Sequence, residues 1–254
     1  MSPQPPRCNI LGVYVSAINM PLALEAIRDW IERKARNYVC VTPAHSIMDA
    51  YYGPEFKQIL NQSGMTTPDG MAVVWLLKLH GFKNAGRVYG PDLMLAVCEE
   101  SIQHGWSHFL YGGAPGVADR LAGNLRQCFP NLKINGIFSP PFTPLSPEED
   151  REIVDRINRA NADIVWVGIS APKQEKWMVD HIERLNCSVL IGVGAAFDFL
   201  SGNKSQAPRW VQRSGFEWLF RFIQEPGRLW KRYKQYPLFI WLNIGQLLGF
   251  RKYN

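Results

Sequence analysis

Asp69 is the residue whose surroundings most suggest acid–base chemistry. It stands in Pro68-Asp69-Gly70, directly before an apolar helical pattern at residues 71–79. Pro-Asp-Gly is also ordinary turn chemistry, so the motif alone does not separate a turn from a functional carboxylate. A carboxylate at the lip of a sheet can accept a proton from an attacking hydroxyl group. From the residues alone, Asp69 is therefore either a turn residue or a carboxylate placed to take a proton from a hydroxyl group.

Four further segments follow predicted strands, and ligands of parallel α/β sheets bind outside the carboxyl ends of the strands. They are residues 42–45, 111–116, 168–175 and 192–198. Gly112-Gly113 precedes a helical pattern, where backbone N–H groups attract phosphate, although a tight turn also needs glycine. Gly192 and Gly194 do not complete a dinucleotide fingerprint, because Phe197 occupies its third position. The segments are compatible with an anion site or with ordinary tight turns, and they do not support NAD binding.

Several common catalytic and metal-binding motifs are absent from the sequence. It contains no Asp-x-Asp, no His-x-His, no Cys/His zinc spacing, no Gly-x-Ser-x-Gly elbow and no P-loop. The five histidines are scattered along the chain, which is more typical of surface or core positions than of catalysis. We therefore predict neither a metal site nor a cofactor.

The elements that position these residues follow from a composition typical of globular proteins. Of 254 residues, 46% are apolar and 20% are charged, which excludes disordered and collagen-like chains. Short apolar runs predict strands at residues 10–15, 38–42, 108–111, 133–138, 164–167 and 189–193. Most are followed by helical patterns, and Ser146 is a candidate N-cap for one of them. This alternation predicts a Rossmann-like α/β fold, an open and mainly parallel sheet with helices on both faces.

The composition changes near residue 203. Residues 204–254 hold ten Lys or Arg against two Glu, a net charge of +8, whereas the preceding residues carry −2. The same stretch holds 12 of the 31 aromatic residues, among helical patterns at about 208–224 and 228–248. Pro237 should kink or restart the second helix. We predict an α/β catalytic domain at residues 1–203 and a basic, aromatic-rich helical appendage at residues 204–254.

The sequence also carries signals about the compartment and the membrane. The five cysteines include no Cys-x-x-Cys pair, which favours a reducing compartment. The N-terminus lacks the apolar region of a signal peptide, and no stretch reaches about 18 apolar residues. Residues 238–248 form a short apolar run beside basic residues, which suits a helix lying in a membrane surface. We predict a cytoplasmic protein bound peripherally to the inner face of the cell membrane.

Together these motifs resemble the WecG/TagA/CpsF family of bacterial glycosyltransferases, over about residues 10–233. The resemblance rests on Thr42, Pro68-Asp69-Gly70, Gly90-Pro91-Asp92-Leu93, Gly112-Gly113 and residues 168–175, 192–198, 207–210 and 217–228. It implies metal-independent, inverting transfer of a sugar from a UDP-sugar to a polyprenyl-diphosphate-linked sugar, in surface polysaccharide synthesis. Inversion needs one carboxylate to deprotonate the acceptor, and arginines can neutralise the leaving UDP in place of Mg²⁺.

The resemblance also assigns roles to individual residues. The catalytic group comprises Asp69 as general base, Thr42 and Gln174 lining the substrate pocket, and Arg221 closing over the diphosphate. The substrate-binding group comprises Gly112, Gly113, Asp198 near the nucleotide, Arg228, which closes over the diphosphate with Arg221, and Lys231. Two departures from the family pattern, Ala44 and Gln206, concern how the sugar is held. The donor stays open among N-acetylmannosamine, its uronic acid and glucose.

Alternative interpretations accompany this prediction. A non-catalytic α/β module that binds a nucleotide-sugar would share the fold, and release of UDP would separate the two. The tail could instead be an oligomerisation element in which Trp210, Trp218 and Trp230 pack on a second copy, which is compatible with catalysis. A nucleic-acid surface is disfavoured, because single-strand modules stack bases on open β platforms and these aromatics fall in helical patterns.

Overall fold

The structure of the chain is a computed structural model that describes residues 5–253, apart from the side chains of Arg228 and Lys231. The strands are β1 Arg7–Ile10, β2 Val13–Ser16, β3 Asn37–Thr42, β4 Met65–Pro68, β5 Ser107–Gly112, β6 Lys133–Phe138, β7 Ile164–Gly168 and β8 Val189–Gly192. The first helices are α1 Met20–Glu32, α2 Ala44–Tyr52, α3 Pro54–Gln62, α4 Met71–Leu79, α5 Gly90–His104, α6 Val117–Cys128 and α7 Pro147–Ala160. The remaining helices are α8 Lys173–His181, α9 Ala196–Leu200, α10 Arg209–Ser214, α11 Glu217–Gln224, α12 Pro226–Tyr233 and α13 Tyr236–Leu247.

Six of the strands in residues 5–253 form one sheet, in the order β4-β3-β8-β7-β5-β6. The pairs β3–β8, β8–β7, β7–β5 and β5–β6 are parallel. Strands β5 and β8 are buried along their whole length, as strands covered on both faces should be. The chain places β6 on one side of β5 and β7 on the other, which opens a crevice at their carboxyl ends. The predicted Rossmann-like α/β fold is confirmed.

Two strand predictions differ from the structure. The run at residues 10–15 is not one strand, because the chain reverses at Leu11-Gly12 to form the antiparallel hairpin β1–β2. Both turn residues have positive φ, 53° at Leu11 and 89° at Gly12. Leucine is not typical of turns with positive φ, so the sequence does not indicate this turn. Strand β4 was not predicted, because its four residues end in proline and carry two threonines rather than an apolar run.

Contacts divide the chain into two compact units. Unit 1 comprises Ala23–Cys40 and Gly90–Ser205, which include β5–β8 and α5–α9. Unit 2 comprises residues 5–22, Val41–Tyr89 and 206–253, which include the hairpin, α2–α4, β4 and α10–α13. The predicted boundary at residue 203 lies beside the passage from one unit to the other at residues 205–206.

The predicted appendage packs onto the N-terminal part of unit 2. The side-chain amide of Gln246 donates to the Asn9 carbonyl oxygen at 2.8 Å and accepts from the Leu11 N–H at 3.0 Å. The Asn9 side chain donates to the Tyr253 carbonyl oxygen at 2.7 Å. Residues 206–253 are therefore a structural part of unit 2, held by hydrogen bonds to its hairpin.

The helix boundaries follow local sequence signals. Ser146 caps α7 as predicted, in a capping box with Glu149 whose two hydrogen bonds are 3.2 and 2.7 Å long. The predicted helix at residues 208–224 is divided into α10 and α11 by Gly215, which ends α10 in the left-handed conformation with a φ of 83°. The predicted helix at residues 228–248 is divided into α12 and α13, and Pro237 stands in the first turn of α13. The predicted restart at Pro237 is confirmed.

Candidate functional site

Unit 2 encloses a pocket of about 460 Å³ that has one polar region and mainly apolar walls. The polar side chains that line it include His45, Asp69, Arg87, Gln212, Glu217, Arg221, Tyr233 and Tyr236. The apolar side chains that line it include Met71, Ala72, Trp75, Trp218, Phe239 and Ile240. Small-molecule sites commonly have this character, with a few polar groups that fix orientation inside an apolar enclosure.

Asp69 reaches this pocket because it stands between a strand and a helix. It follows β4 and precedes Gly70, the N-cap residue of α4. Its backbone N–H donates to the carbonyl oxygen of Thr42, the last residue of β3, at 3.4 Å. Thr42 itself is fully buried and is not among the residues that line the pocket. The structure thus brings Thr42 and Asp69 together at adjacent strand ends.

Arg87 is a central residue of the pocket that sequence reasoning missed. Its Nε donates to the backbone carbonyl oxygen of Asp69, and its Nη2 forms an ion pair with Glu217. Its Nη1 donates to the carbonyl oxygen of Gln212 at 3.4 Å, and its guanidinium lies 4.0 Å from the ring centre of Tyr89. No motif surrounds Arg87, and its partner Glu217 is 130 residues away in sequence. Only the fold brings them together.

The pocket concentrates charge of both signs. Burial opposes the charge on Arg87, but Asp69 and Glu217 outweigh it and raise the pKa of Arg87. Burial likewise opposes the charge on Arg221, but Tyr233, Glu217 and Asp69 raise its pKa. Two guanidiniums therefore face two carboxylates. A carboxylate can accept the proton of an attacking hydroxyl group, and nearby cations can stabilise the negative charge on a departing group. The pocket is therefore suited to a displacement reaction with an anionic leaving group.

Tyrosines near these charges stay protonated. Burial, and then the negative charges of Glu217 and Asp69, raise the pKa of Tyr89. Burial and the neighbouring Tyr233 raise the pKa of Tyr236. Neutral phenols can donate hydrogen bonds to oxygen atoms without adding to the charge of the pocket.

In unit 1 the predicted substrate-binding glycines lie where strands β5 and β7 end. A Cβ on Gly112 would stand 2.6 Å from the backbone of Gly168, and the Gly113 N–H donates to the Gly168 carbonyl oxygen at 3.0 Å. A Cβ on Gly168 would meet the ring of Phe197 at 2.5 Å. Close backbone packing therefore requires these glycines whether or not a phosphate binds there. The helix that follows starts only at Val117.

Gln174 and Asp198 also belong to unit 1. Gln174, the second residue of α8, is 3% exposed, and its amide nitrogen donates to Glu175 Oε1 at 2.8 Å. A Cβ on Gly192 would lie 3.1 Å from that amide nitrogen, so the glycine makes room for it. Asp198 on α9 accepts from the side chain of Asn203 at 2.8 Å. The side chains of Arg228 and Lys231, the remaining predicted residues, lie outside the described part of the structure.

Within residues 5–253, no three His, Cys, Asp or Glu side chains come together as a set of metal ligands. No helix among the described residues combines the length and the apolar character that a membrane span requires.

Comparison with known proteins gives the family. The model of the glycosyl transferase WecG/TagA/CpsF family matches residues 8–253. An N-acetylglucosaminyldiphosphoundecaprenol N-acetyl-beta-D-mannosaminyltransferase of Bacillus subtilis (strain 168) is 30% identical over 89% of this chain and 77% of its own length. A protein of the same name from Bacillus spizizenii is 29% identical over 76% of this chain and 72% of its own length. The chain therefore belongs to the WecG/TagA/CpsF family and is a glycosyltransferase rather than a non-catalytic module.

Proposed function

We propose that this glycosyltransferase moves a hexose or N-acetylhexosamine from a UDP-sugar to a polyprenyl-diphosphate-linked sugar during synthesis of a bacterial surface polysaccharide. The names of the Bacillus relatives support an acceptor of this class and make an N-acetylmannosaminyl group the first donor to test. The observation that carries the proposal is one pocket that holds the Asp69 carboxylate with the guanidiniums of Arg87 and Arg221.

The pocket residues suit an inverting displacement. Asp69 takes the proton of the acceptor hydroxyl group while the hydroxyl oxygen forms the new bond to the anomeric carbon. The bond between that carbon and the diphosphate oxygen breaks, and the electron pair leaves with UDP. Arg221 stabilises the negative charge on the diphosphate, because a buried guanidinium binds phosphate oxygens strongly. The apolar walls keep water away from the reacting groups, which strengthens these electrostatic interactions.

The predicted substrate residues of unit 1 remain candidates for contacts to the nucleotide-sugar. Gly112 and Gly113 offer backbone close to the crevice between β5 and β7, where nucleotides bind in open α/β sheets. Gln174 and Asp198 stand on the helices that follow β7 and β8 and provide polar side chains there. Arg228 and Lys231 remain predicted contributors to substrate binding.

We also propose that the C-terminal helices hold the enzyme at the inner membrane face, where the lipid-linked acceptor resides. Large apolar side chains on this part of unit 2 are exposed, among them Trp210, Ile223, Trp230, Trp241, Leu248 and Phe250. They accompany the net charge of +8 on residues 204–254. Each basic residue near an anionic leaflet contributes about 1 kcal/mol, so a few suffice for reversible binding. Homo-oligomerisation stays a prediction.

The deciding experiment is a donor panel. The purified protein is incubated with polyprenyl-diphosphate N-acetylglucosamine and each of several UDP-sugars, and UDP release and the lipid product are measured. We expect both with at least one donor, foremost the N-acetylmannosamine derivative, and UDP release only when the acceptor is present. No product with any UDP-sugar would contradict the proposal.

Metal independence is tested in the same assay. Because Arg221 and Arg87 supply positive charge inside the pocket, we expect activity in excess EDTA to stay within about twofold of the untreated rate. A loss that Mg²⁺ or Mn²⁺ restores would overturn this prediction. Asp92 and Asp198 would then become candidate ligands.

A further inference from the structure

We propose that Glu217 is a positioning residue that acts on the catalytic base Asp69 through Arg87. Glu217 is the first residue of α11 and belongs to a motif that carried the family resemblance, but nothing in the sequence gave it a role. The inference rests on the proposed function, because it takes Asp69 to be the base.

The contacts form a chain from Glu217 to Asp69. The Glu217 carboxylate pairs with Nη2 of Arg87, and Nε of the same guanidinium donates to the Asp69 backbone carbonyl. The guanidinium is planar and its donors point in fixed directions, so holding one edge fixes the other. The ring of Tyr89 supports its face at 4.0 Å. Glu217 thereby determines where the backbone of Asp69 is held.

Burial gives this ion pair its importance. The side chain of Arg87 is 17% exposed and that of Glu217 is 12% exposed. A guanidinium this far from water needs a counter-charge, and removing one member of a buried pair leaves the other uncompensated. Surface ion pairs, by contrast, contribute little. Among the residues lining the pocket, Glu217 is the carboxylate other than Asp69 that meets this need.

Without Glu217, the remaining carboxylate that lines the pocket is that of Asp69, whose charge already acts on Arg87. A guanidinium that turned onto that carboxylate would occupy the oxygen that must accept the proton. The loss should therefore appear in the chemical step rather than in donor binding. Glu217 also stands four residues before Arg221 in α11, and its negative charge contributes to the raised pKa of Arg221.

The experiment compares wild-type protein with Glu217→Gln, Glu217→Asp, Arg87→Gln and the double variant Glu217→Gln/Arg87→Gln. The control is Glu183→Gln, which removes an exposed ion pair with Arg36 in unit 1. Steady-state kcat and KM are measured with the UDP-sugar and lipid acceptor, below the melting temperature of every variant. A misplaced catalytic group commonly costs about 100-fold.

We expect Glu217→Gln to lower kcat by about 10- to 100-fold, with KM for the UDP-sugar within twofold of the wild-type value. Glu217→Asp should recover part of kcat. The double variant should be no slower than the slower single variant, because both residues act through one contact. Glu183→Gln should behave as wild type.

Two results would overturn the inference. One is a kcat for Glu217→Gln within twofold of wild type, and the other is a double variant that shows the product of the two single losses. If Glu217→Gln does not fold, Glu217→Asp is judged by the same criterion. Its kcat should fall, while its KM for the UDP-sugar stays within twofold of the wild-type value. Failure of the wild-type protein to use any UDP-sugar would instead refute the proposed function, which separates the two claims.

Discussion

The strand ends of unit 1 and the pocket of unit 2 both hold residues that matched the family pattern, but for different physical reasons. Gly112 and Gly168 are explained by packing alone, because the backbones and the Phe197 ring leave no space for a Cβ. Packing gives no reason to bury Arg87 beside Glu217, since charges in an interior cost free energy unless they are paired. Buried charge is therefore the stronger indication of function, and a glycine motif the weaker.

Asp69→Asn should give the largest loss of activity, because it changes the carboxylate in the pocket of unit 2. The amide cannot take the acceptor proton, so we expect kcat to fall by about 10²- to 10⁴-fold. UDP binding, measured by calorimetry, should persist. The control is Asp155→Asn, an exposed carboxylate on α7, which should keep full activity. A turnover of at least half the wild-type value for Asp69→Asn would refute the role of Asp69.

Gly112→Ala should destabilise unit 1, because the added Cβ has no space there. Its φ of 138° and the 2.6 Å approach to Gly168 lead us to expect a loss of about 2–4 kcal/mol in the free energy of unfolding. The control is Gly123→Ala in the interior of α6, where a Cβ meets nothing within 4 Å; it should stabilise by about 0.5–1 kcal/mol. Thermal melts measure both. Unchanged stability with lost UDP binding would show that Gly112 serves a ligand rather than the fold.

The two units should differ in how much the replacement of an exposed aromatic residue weakens membrane binding. Trp241 and Phe250 are 67% and 80% exposed in unit 2, whereas Phe142 is 83% exposed in unit 1. Trp241→Ser and Phe250→Ser should each weaken binding to anionic vesicles about tenfold, because an apolar side chain loses its burial in lipid. Added salt should weaken wild-type binding further. Equal losses for Phe142→Ser would contradict docking through the C-terminal helices.

His108 gives unit 1 a buried neutral group to compare with the charges of unit 2. Burial lowers the pKa of His108 to about 4, and its Nδ1 accepts from Trp166 Nε1 at 2.9 Å. The unfolded chain takes up this proton near pH 6.5, so the folded state loses stability as pH falls from about 6.5 to 4. We expect a slope of up to about 1.4 kcal/mol per pH unit from this group. His108→Gln should flatten the pH dependence of thermal melting in that window, and an identical slope would disprove the assignment.

Much of the fold could be predicted from the sequence where the signal is local. The buried runs of β5, β7 and β8 and the N-cap at Ser146 are such signals, and the sequence predicts them. Leu11 at positive φ was not, because its conformation is imposed by the hairpin and not by its own preference. Strand β4 is too short and too polar for a periodicity to identify it.

For the site, the part that could be predicted was the part with a motif or a strand end. Asp69 stands in a motif and Thr42 at the end of a predicted strand, and the structure places them side by side. Arg87 met neither condition, since a single arginine forms no motif. Its importance follows from its contact with Glu217. Contacts between residues far apart in sequence are set by the fold, so pattern reasoning along the chain has no access to them.

The separation of 130 residues between Arg87 and Glu217 has a consequence for the growing chain on the ribosome. At roughly 5–20 residues per second, Asp69 and Arg87 are complete on the order of ten seconds before Glu217 is added. Until then the guanidinium has no carboxylate from α11 to orient it, and Arg221 does not yet exist. The nascent chain thus carries Asp69, the proposed base, before Glu217 and Arg221 are added, and we expect competence for sugar transfer only late in translation.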